Sequence, residues 1–383
     1  MTMTNAEYYA AANLTTNPFR SQATFEDDPR LTVWAGQERE RTTLQKFLER
    51  SRAEKVGNTN GLLLHGPYGT GKSHALLWSM QWLRSLTEGG QSVAYYIPTL
   101  KKDRGKLSFA IALRDDLVAR TTFVEDVALY RQWLARAIRR YMDEQELSAD
   151  TSDDLIIERL IPAVDLSNFA KELYRIPADG LRDHLAISLT DYQAMLMFTR
   201  MVNLFVHEVR FKDGVSRFRQ SVYLMVDELD VLMNASAKEV IEVNELIRHL
   251  YDMCPTCFGL VLALSAEQEL LPTVFTEFVL SRIGRQIAFS VLDRQASVNF
   301  AIEIMNSPVM RVDHTDAAKM GAFPFTNDAL EAVLGAVSFR TPRKIVNVLQ
   351  QLIEEVRLAD IDPAAGPITV EQLDQSAILD DLL

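Results

Sequence analysis

The feature that most constrains the fold is a glycine-rich segment at residues 66–73, GPYGTGKS, which matches the Walker A pattern G-x-x-x-x-G-K-[ST]. An apolar run, Leu62–Leu64, precedes this segment, and helical periodicity continues from about residue 71 to 86. Glycines let such a loop direct successive backbone N–H groups at phosphate oxygens, and the positive end of the following helix favours the same charge. A chance match has odds on the order of one in a hundred. The sequence therefore predicts a phosphate-binding strand–loop–helix unit.

The residue types in this segment indicate which phosphate compound it binds. Lys72 would bring a mobile positive charge to β- and γ-phosphates, and the Ser73 hydroxyl would ligate Mg²⁺. ATP and Mg²⁺ are therefore the predicted cofactors. The predicted nucleotide-binding residues are Gly66, Pro67, Tyr68, Gly69, Thr70, Gly71, Lys72 and Ser73.

A second apolar run, Tyr223–Val226, ends in two acidic residues, as the Walker B pattern does. Asp227 is predicted to hold the magnesium through water, and Glu228 to orient and polarise a water for attack on the γ-phosphate. A strand followed by a solvated acidic turn is the alternative interpretation, and it is common in isolation. Asp230 is predicted to be a helix cap or a surface charge.

Short strand-like runs alternate with helical stretches along much of the chain. This alternation predicts an α/β fold: a three-layer P-loop NTPase core with a parallel five-stranded sheet. The predicted strands are residues 62–65, 92–97, 222–226, 260–264 and 287–292, and the helices between or before them are residues 36–51, 71–86, 238–253 and 266–281.

The domain organisation is predicted from where the alternation of strands and helices begins, is interrupted and ends. Residues 1–35 are polar and are predicted to form an irregular lead-in. The ATPase core is predicted at 36–293, with a mostly helical insertion and no strong strand at about 101–220. Helical stretches then predict a lid at 294–358, and residues 359–383 are predicted to form an acidic and apolar tail.

Composition excludes several classes of protein. The chain has 383 residues, 48% of them hydrophobic and 24% charged, as in ordinary globular proteins. Two cysteines cannot support a disulfide framework, which indicates a reducing cytoplasm. The N-terminus does not have the pattern of a signal peptide, and no apolar run approaches the ~20 residues of a membrane span. The net charge of −12 argues against a surface that is basic throughout, but leaves a local basic stripe for DNA open.

The loop, the Asp227-Glu228 strand end, a polar residue ending the next strand and a later helical domain together resemble the AAA+ ATPases. Within that superfamily the sequence is most similar to the initiator and clamp-loader branch, including related ATPases of transposons and bacterial defence systems. The resemblance covers about residues 15–100 and 220–357. The segment Ala35–Glu40 is similar to the segment that lies beside the adenine in the family.

The resemblance implies three further site residues. Ser265 matches the first sensor, which contacts the γ-phosphate or the attacking water. Arg282, in a Ser-Arg pair, resembles the clamp-loader arginine that reaches the neighbouring subunit's nucleotide. Arg343 matches the second sensor, which contacts the γ-phosphate of its own subunit. A guanidinium can stabilise the charge of the phosphoryl-transfer transition state without proton transfer. Arg285 is the substitute candidate for the role of Arg282, and Arg340 is the substitute candidate for the role of Arg343. For each of these arginines, the alternative is a surface or helix-capping role.

The sequence also departs from the family pattern. The segment Ile97–Thr99 lacks the asparagine that serves some relatives as a switch for the catalytic glutamate, a role that Thr99 would have to fill. The chain ends soon after the lid, so no winged-helix DNA-binding domain is expected.

Three basic clusters lie within the insertion. The middle cluster has Tyr130, Trp133 and Tyr141 nearby, a mixture that can line a nucleic-acid channel. The favoured alternative is that these aromatic residues are core and that the arginines pair with neighbouring acids. The clusters are Lys101, Lys102, Arg104 and Lys106; Arg136, Arg139 and Arg140; and Arg210, Lys212, Arg217 and Arg219.

Two cysteines in a C-x-x-C arrangement, Cys254 and Cys257, have the spacing of a redox pair or half a zinc site. A structural zinc needs four ligands, and no second pair of this kind occurs. Two buried thiols in a turn between a helix and a strand is the favoured interpretation. His65 and His74 are predicted to pack around the strand and helix that flank the phosphate loop.

Two functions fit this sequence. The first is a Mg²⁺-dependent ATPase that self-associates into a ring or filament and regulates a DNA transaction such as transposition, replication, repair or anti-phage defence. The alternative is a nucleotide-gated module in which ATP binding recruits a protein partner through the insertion or the acidic tail and hydrolysis is slow. A kinase is poorly supported, because a lid arginine and a Ser-Arg pair would have no role in it.

Overall fold

The computed structural model describes residues 3–20, 28–86, 91–103 and 105–382. The chain forms two compact units. The loop–lid unit comprises Met1–Thr42, Gly66–Trp82 and Ala288–Leu383, and the sheet unit comprises Thr43–His65 and Leu83–Ile287. The phosphate loop and the C-terminal helices therefore belong to one unit. The domain boundaries drawn from the sequence, after residues 35, 293 and 358, stay predictions.

Five strands form the central sheet, which confirms the predicted α/β class and the P-loop NTPase-like core. Its order is β2–β7–β8–β1–β9, and β2–β7, β7–β8 and β8–β1 pair in parallel. β7 and β8 are buried along their whole length, as expected for strands covered on both faces. The strands in the described residues are β1 (Asn60–His65), β2 (Ser92–Ile97), β3 (Lys101–Asp103), β4 (Lys106–Ser108), β5 (Val209–Phe211), β6 (Gly214–Ser216), β7 (Ser221–Val226), β8 (Phe258–Leu264) and β9 (Arg285–Ala288).

Helices account for most of the remaining chain. A π-helical segment, Leu113–Val118, follows α4. The α-helices in the described ranges are α1 (Asn5–Ala11), α2 (Glu38–Ser51), α3 (Lys72–Ser85), α4 (Phe109–Ala112), α5 (Phe123–Glu144), α6 (Asp153–Leu160), α7 (Val164–Arg175), α8 (Leu181–Leu185), α9 (Asp191–Val206), α10 (Ala237–Asp252), α11 (Leu271–Val274), α12 (Glu277–Arg282), α13 (Arg294–Met305), α14 (Asn327–Ala336), α15 (Pro342–Leu358), α16 (Val370–Gln375) and α17 (Ile378–Leu382). Short 3₁₀ helices lie at Pro29–Thr32, Leu229–Asn234, Gln268–Leu270, Ala317–Lys319 and Pro363–Ala365.

Two predicted elements have different bounds. The helix expected at 266–281 is broken into α11 and α12, because the backbone is extended at Phe275 and Thr276, between the two helices. The strand expected at 287–292 ends at Ala288. Beyond it, the Leu292 N–H donates 2.8 Å to the Arg340 carbonyl, so this part of the chain is bonded within the loop–lid unit.

The insertion is helical from α4 to α9, but the prediction that it has no strong strand misses a short hairpin at each end. β3 pairs with β4 and β5 pairs with β6, each with three residues per strand. The helices enclose an aromatic core that continues onto the sheet, in which Phe198 contacts Tyr95, Phe123 and Phe258 at centroid distances of 6.1 to 6.4 Å.

The N-terminal residues are more ordered than the predicted irregular lead-in. Thr4 and Glu7 form a capping box that starts α1, and Tyr8, Leu14 and Phe19 are buried in the core of the loop–lid unit. Burial of these apolar side chains explains why the segment folds.

The tail is also folded onto that core. Ile368, Leu373 and Ile378 are buried in it, so these apolar side chains of the tail are not available to a partner in this structure. None of the helices in the described ranges has both the length and the apolarity needed to cross a bilayer.

Candidate functional site

The phosphate loop has a conformation that requires glycine at its first position. Gly66 has a φ of 131°, and a Cβ atom on it would lie only 2.0 Å from the carbonyl oxygen of Phe289. Gly69 follows with a φ of 81°. Residues with side chains rarely adopt these angles. A loop that turns in this way can present backbone N–H groups to an anion.

Lys72 is buried against the backbone of the loop. Its Nζ donates hydrogen bonds to the carbonyl oxygens of Gly66 (2.9 Å) and Pro67 (2.8 Å). The hydroxyl of the fully buried Thr70 donates to the same Pro67 oxygen at 2.8 Å. The ammonium group of Lys72 therefore lies within the loop, and its contact with β- and γ-phosphates stays a prediction.

Helix α3 begins at the end of the loop. The Ala75 N–H donates to the Gly71 carbonyl at 2.9 Å, and Ser73 is exposed on the first turn. N–H groups of a first turn have no partners within the helix and carry the positive end of its dipole. Both features favour an anion at this end of α3, and the exposed Ser73 is compatible with its predicted contact to Mg²⁺.

Arg343, the predicted second sensor, lies directly against the loop. Its guanidinium carbon is 4.4 Å from the centroid of the Tyr68 ring, and its Nη1 donates to the Tyr68 hydroxyl. Its backbone N–H donates to the Gly69 carbonyl at 3.1 Å. Thr341 caps α15 by accepting from the Lys344 N–H, which places Arg343 in the first turn of the helix.

Arg340, the substitute for Arg343, has a different position. Its Nε and Nη2 donate to the carbonyl oxygens of Leu334 and Gly335, each at 2.8 Å. These carbonyls belong to the last turn of α14, so Arg340 caps a helix. Of the two candidate arginines, the structure brings Arg343 to the phosphate loop.

The segment that resembles the family's adenine-side segment belongs to the same unit as the loop. The Gln37 amide donates to the Ser290 carbonyl at 3.2 Å, and the Gly36 N–H donates to Glu303 at 2.6 Å. His74, in the first turn of α3, bonds the Val33 carbonyl through Nε2 at 2.8 Å. Burial lowers the pKa of His74, so its imidazole is neutral at pH 7 and packs as predicted.

At the end of β7, both oxygens of the Asp227 carboxylate are held in place. The Tyr96 hydroxyl donates to Oδ2 and the Glu228 N–H to Oδ1, both at 2.8 Å, and the residue is 4% exposed. Sequence reasoning missed Tyr96. Tyr96 pairs with Met225 of β7, and Asp227 lies two residues after Met225, just past the end of the strand, so both side chains are on the same face of the sheet. That signal requires knowing that β2 and β7 are neighbours.

The other predicted residues of the sheet unit lie near the same strand ends. Glu228 is exposed and has a left-handed backbone, with a φ of 46°. Asp230 accepts a hydrogen bond from the Ser265 N–H, so it ties the end of β8 to the segment after β7. Thr99, proposed above to replace the missing asparagine, has a buried hydroxyl without a hydrogen-bond partner among the described residues.

Arg282, the predicted trans-acting arginine, pairs within its own chain. Its Nε and Nη2 donate to the two oxygens of Asp252 at 2.7 and 3.0 Å, and its Nη1 donates to the Phe278 carbonyl at 3.1 Å. The guanidinium lowers the pKa of Asp252, which is therefore ionised at neutral pH. Arg285, its substitute, lies in β9.

Many of the basic residues of the insertion are paired with acids. Lys101 bonds the buried Asp116 at 2.6 Å, and Arg140 bonds Glu144 at 2.9 Å. Further pairs are Arg219 with Asp126 and both Arg210 and Arg217 with Glu208. Arg104 lies outside the described residues. These ion pairs agree with the favoured alternative to a nucleic-acid channel, in which the arginines pair with neighbouring acids.

The aromatic residues near the middle basic cluster belong to the hydrophobic core or pack against it. Tyr130 is fully buried, stacks on Trp133 with 5.7 Å between ring centroids, and contacts Phe205 and Phe218. Tyr141 packs against the same cluster. Tyr130 is therefore engaged within the protein, and Trp133 and Tyr141 pack against the core with part of each ring exposed.

Cys254 and Cys257 are buried free thiols before β8, in agreement with the favoured interpretation of the C-x-x-C pair. Burial raises the pKa of both thiols, which disfavours the thiolate that metal binding and redox exchange need. In the part of the chain that the structure describes, no group of three or more His, Cys, Asp or Glu side chains could hold a metal ion.

Proteins with similar folds are found among solved structures. One is the ORC2 protein of Aeropyrum pernix, with 12% sequence identity and a TM-score of 0.48; the match covers 93% of this chain and 72% of that one. Another is Cdc6p of Pyrobaculum aerophilum, with 11% identity and a TM-score of 0.47; the match covers 95% of this chain and 70% of that one. A third is domain III of the replication initiation protein DnaA of Thermotoga maritima, with 11% identity and a TM-score of 0.41; the match covers 93% of this chain and 98% of that one. Identities of this size concern the fold alone. No protein-family model matches the sequence, and no curated protein is significantly similar to it.

Proposed function

We propose that this chain is an AAA+ ATPase that binds Mg²⁺-ATP through residues 66–73 and hydrolyses it. The observation that carries the proposal is the contact of Arg343 with Gly69 and Tyr68 of the phosphate loop. A glycine-rich loop with a buried lysine and an arginine beside it combines the groups that recognise a polyphosphate.

The residues present fit the proposed cofactors. Gly66 lies so close to the Phe289 backbone that no side chain would fit on it. The loop therefore exposes only backbone at this position, which is what a phosphate-binding loop requires. Ser73 and Asp227 are the proposed residues on the magnesium side. When bound, Mg²⁺ would neutralise charge on the β- and γ-phosphates.

The register of the sheet supports the assignment of Asp227. β1, β7 and β8 run in parallel, with His65 opposite Leu264 and Val226 opposite Leu262. Asp227 follows Val226 in the chain, so it leaves the sheet at the carboxyl edge of its parallel strands, where α/β proteins bind ligands.

The proposed roles in hydrolysis follow from side-chain chemistry. Glu228 would orient and polarise the attacking water, with Tyr96 and the Glu228 N–H fixing the neighbouring carboxylate of Asp227. The Ser265 hydroxyl would contact the γ-phosphate or the water, and Arg343 would stabilise the charge that develops on the transferred phosphoryl group.

We further propose that the protein self-associates into a ring or filament in which Arg282 acts on the neighbouring subunit's nucleotide. The sequence resemblance to initiator, clamp-loader and transposon ATPases supports regulation of a DNA transaction as the output. The extent of acid pairing in the insertion favours a protein partner over direct DNA contact for that region.

One observation favours the second candidate, a nucleotide-gated module with slow hydrolysis. Arg282 is engaged by Asp252 through two hydrogen bonds. A chain that keeps this arginine paired would bind ATP and change its partner affinity without efficient turnover.

Glu228→Gln distinguishes the two functions, with Glu269→Gln, another exposed carboxylate, as the matched control. As an ATPase, the Glu228 variant should bind ATP, lose turnover by about 10²-fold or more, and accumulate as an ATP-bound assembly in light scattering. Wild-type turnover per subunit should rise steeply with protein concentration. Turnover that is unchanged in the variant and independent of concentration would contradict the proposal.

A further inference from the structure

The side chain of Tyr68, a residue of the phosphate loop, contacts the Arg343 guanidinium. It is 65% exposed, so it contributes little to the core. The Arg343 guanidinium carbon lies 4.4 Å from the centroid of its ring, and the ring hydroxyl accepts from Nη1. The two residues are 275 positions apart in the chain, so this contact results from the fold and not from local sequence.

The backbone of Arg343 is fixed independently of this contact. Its N–H donates to the Gly69 carbonyl at 3.1 Å, and Thr341 caps the helix that carries it. A Cβ atom on Gly69 would lie 3.1 Å from the Arg343 Cβ, so the loop and the first turn of α15 are in close contact. The contact with Tyr68 adds a restraint on the exposed part of the Arg343 side chain, beyond its Cβ atom.

The way Tyr68 holds the guanidinium leaves one edge of it unengaged. The guanidinium carbon lies over the ring, and the ring hydroxyl accepts a hydrogen bond from Nη1. Within the described ranges, Nε and Nη2 of Arg343 have no hydrogen-bond acceptor. These two groups form the fork that donates in parallel to two oxygens of a phosphate.

We infer that Tyr68 is a positioning residue, which holds Arg343 at the loop and presents its Nε–Nη2 edge to the γ-phosphate of a nucleoside triphosphate. The inference rests on the proposed function. An exposed arginine loses considerable rotamer freedom when it binds a ligand, and Tyr68 restricts that freedom before binding. ADP has no γ-phosphate, so the benefit applies to the triphosphate and not to the diphosphate.

The test compares affinities for ADP and for a non-hydrolysable ATP analogue in the intact chain, measured by calorimetry. Tyr68→Leu, which keeps apolar bulk but has neither ring nor hydroxyl, should lower the ratio of the ADP to the ATP-analogue dissociation constant about two- to fivefold, the range of an exposed cation–π contact. Tyr68→Phe keeps the ring face and should restore most of the ratio.

A second pair of variants separates positioning from loop damage. In an Arg343→Ala background, Tyr68→Leu should leave the ratio unchanged, because no guanidinium remains to be positioned. A ratio that rises in Tyr68→Leu would mean that Tyr68 competes with phosphate for Arg343, and an unchanged ratio would mean that it has no part in recognition. Either result overturns this inference but leaves the proposed function unaffected. A wild-type chain that binds neither nucleotide overturns the proposed function and this inference together.

Discussion

Replacing Gly66 by alanine tests the geometry of the phosphate loop at its tightest point. The new Cβ would lie 2.0 Å from the Phe289 carbonyl oxygen, whereas ordinary contact begins near 3.4 Å. The loop or Phe289 would therefore have to move by about 1.4 Å, the difference between these two distances. We expect ~1–3 kcal/mol of backbone strain at the φ of 131°. Overpacking should add a further ~1–3 kcal/mol.

Gly366→Ala is the matched control for this change. Gly366 has nearly the same backbone angle, a φ of 141°, but a Cβ atom on it would meet nothing within 4 Å. Its substitution should cost only the backbone strain of ~1–3 kcal/mol. Urea unfolding gives the free energy of unfolding of both variants, and fluorescence titration with an ATP analogue gives their affinities. Gly66→Ala should be the less stable and should lose nucleotide affinity, while Gly366→Ala keeps it. Equal stabilities with equal affinities would refute the close approach of Gly66 to Phe289.

Two further substitutions test the arginines. Arg343→Ala should weaken binding of an ATP analogue about 10- to 100-fold and leave ADP binding much less affected, since it removes a charged hydrogen-bond donor; Lys344→Ala, at the next residue of the same helix, should change neither. Asp252→Asn should release Arg282, so half-maximal turnover should be reached at a lower protein concentration than in the wild type. An unchanged concentration dependence would count against Arg282 as a trans-acting residue.

Local pattern was sufficient to predict the central elements. The loop sequence and the apolar runs beside it place β1 and α3, and the same reasoning places β2, β7, α10 and α15 within a residue or two. These elements are decided by periodicity, turn residues and caps that lie within one segment. The lead-in was misjudged, although Thr4 and Glu7 have the spacing of a capping box and could have revealed α1.

Contacts between distant segments could not be predicted in the same way. The sequence indicates that Arg343 belongs to a lid helix, but not that its guanidinium lies on Tyr68. It shows Asp227 at the end of a strand, but not that the Tyr96 hydroxyl orients it from the neighbouring strand. The pairing of Arg282 with Asp252 was equally hidden, because the two residues are 30 positions apart on different helices.

The central claim is that the loop at residues 66–73 binds Mg²⁺-ATP, and equilibrium titration of the wild type and of Lys72→Ala with Mg²⁺-ATP tests it most directly. We predict saturable binding to the wild type and an affinity at least ~10-fold lower in the variant, because the buried ammonium group is lost from the loop. No binding to the wild type, or equal affinity in a folded Lys72→Ala protein, would contradict the claim.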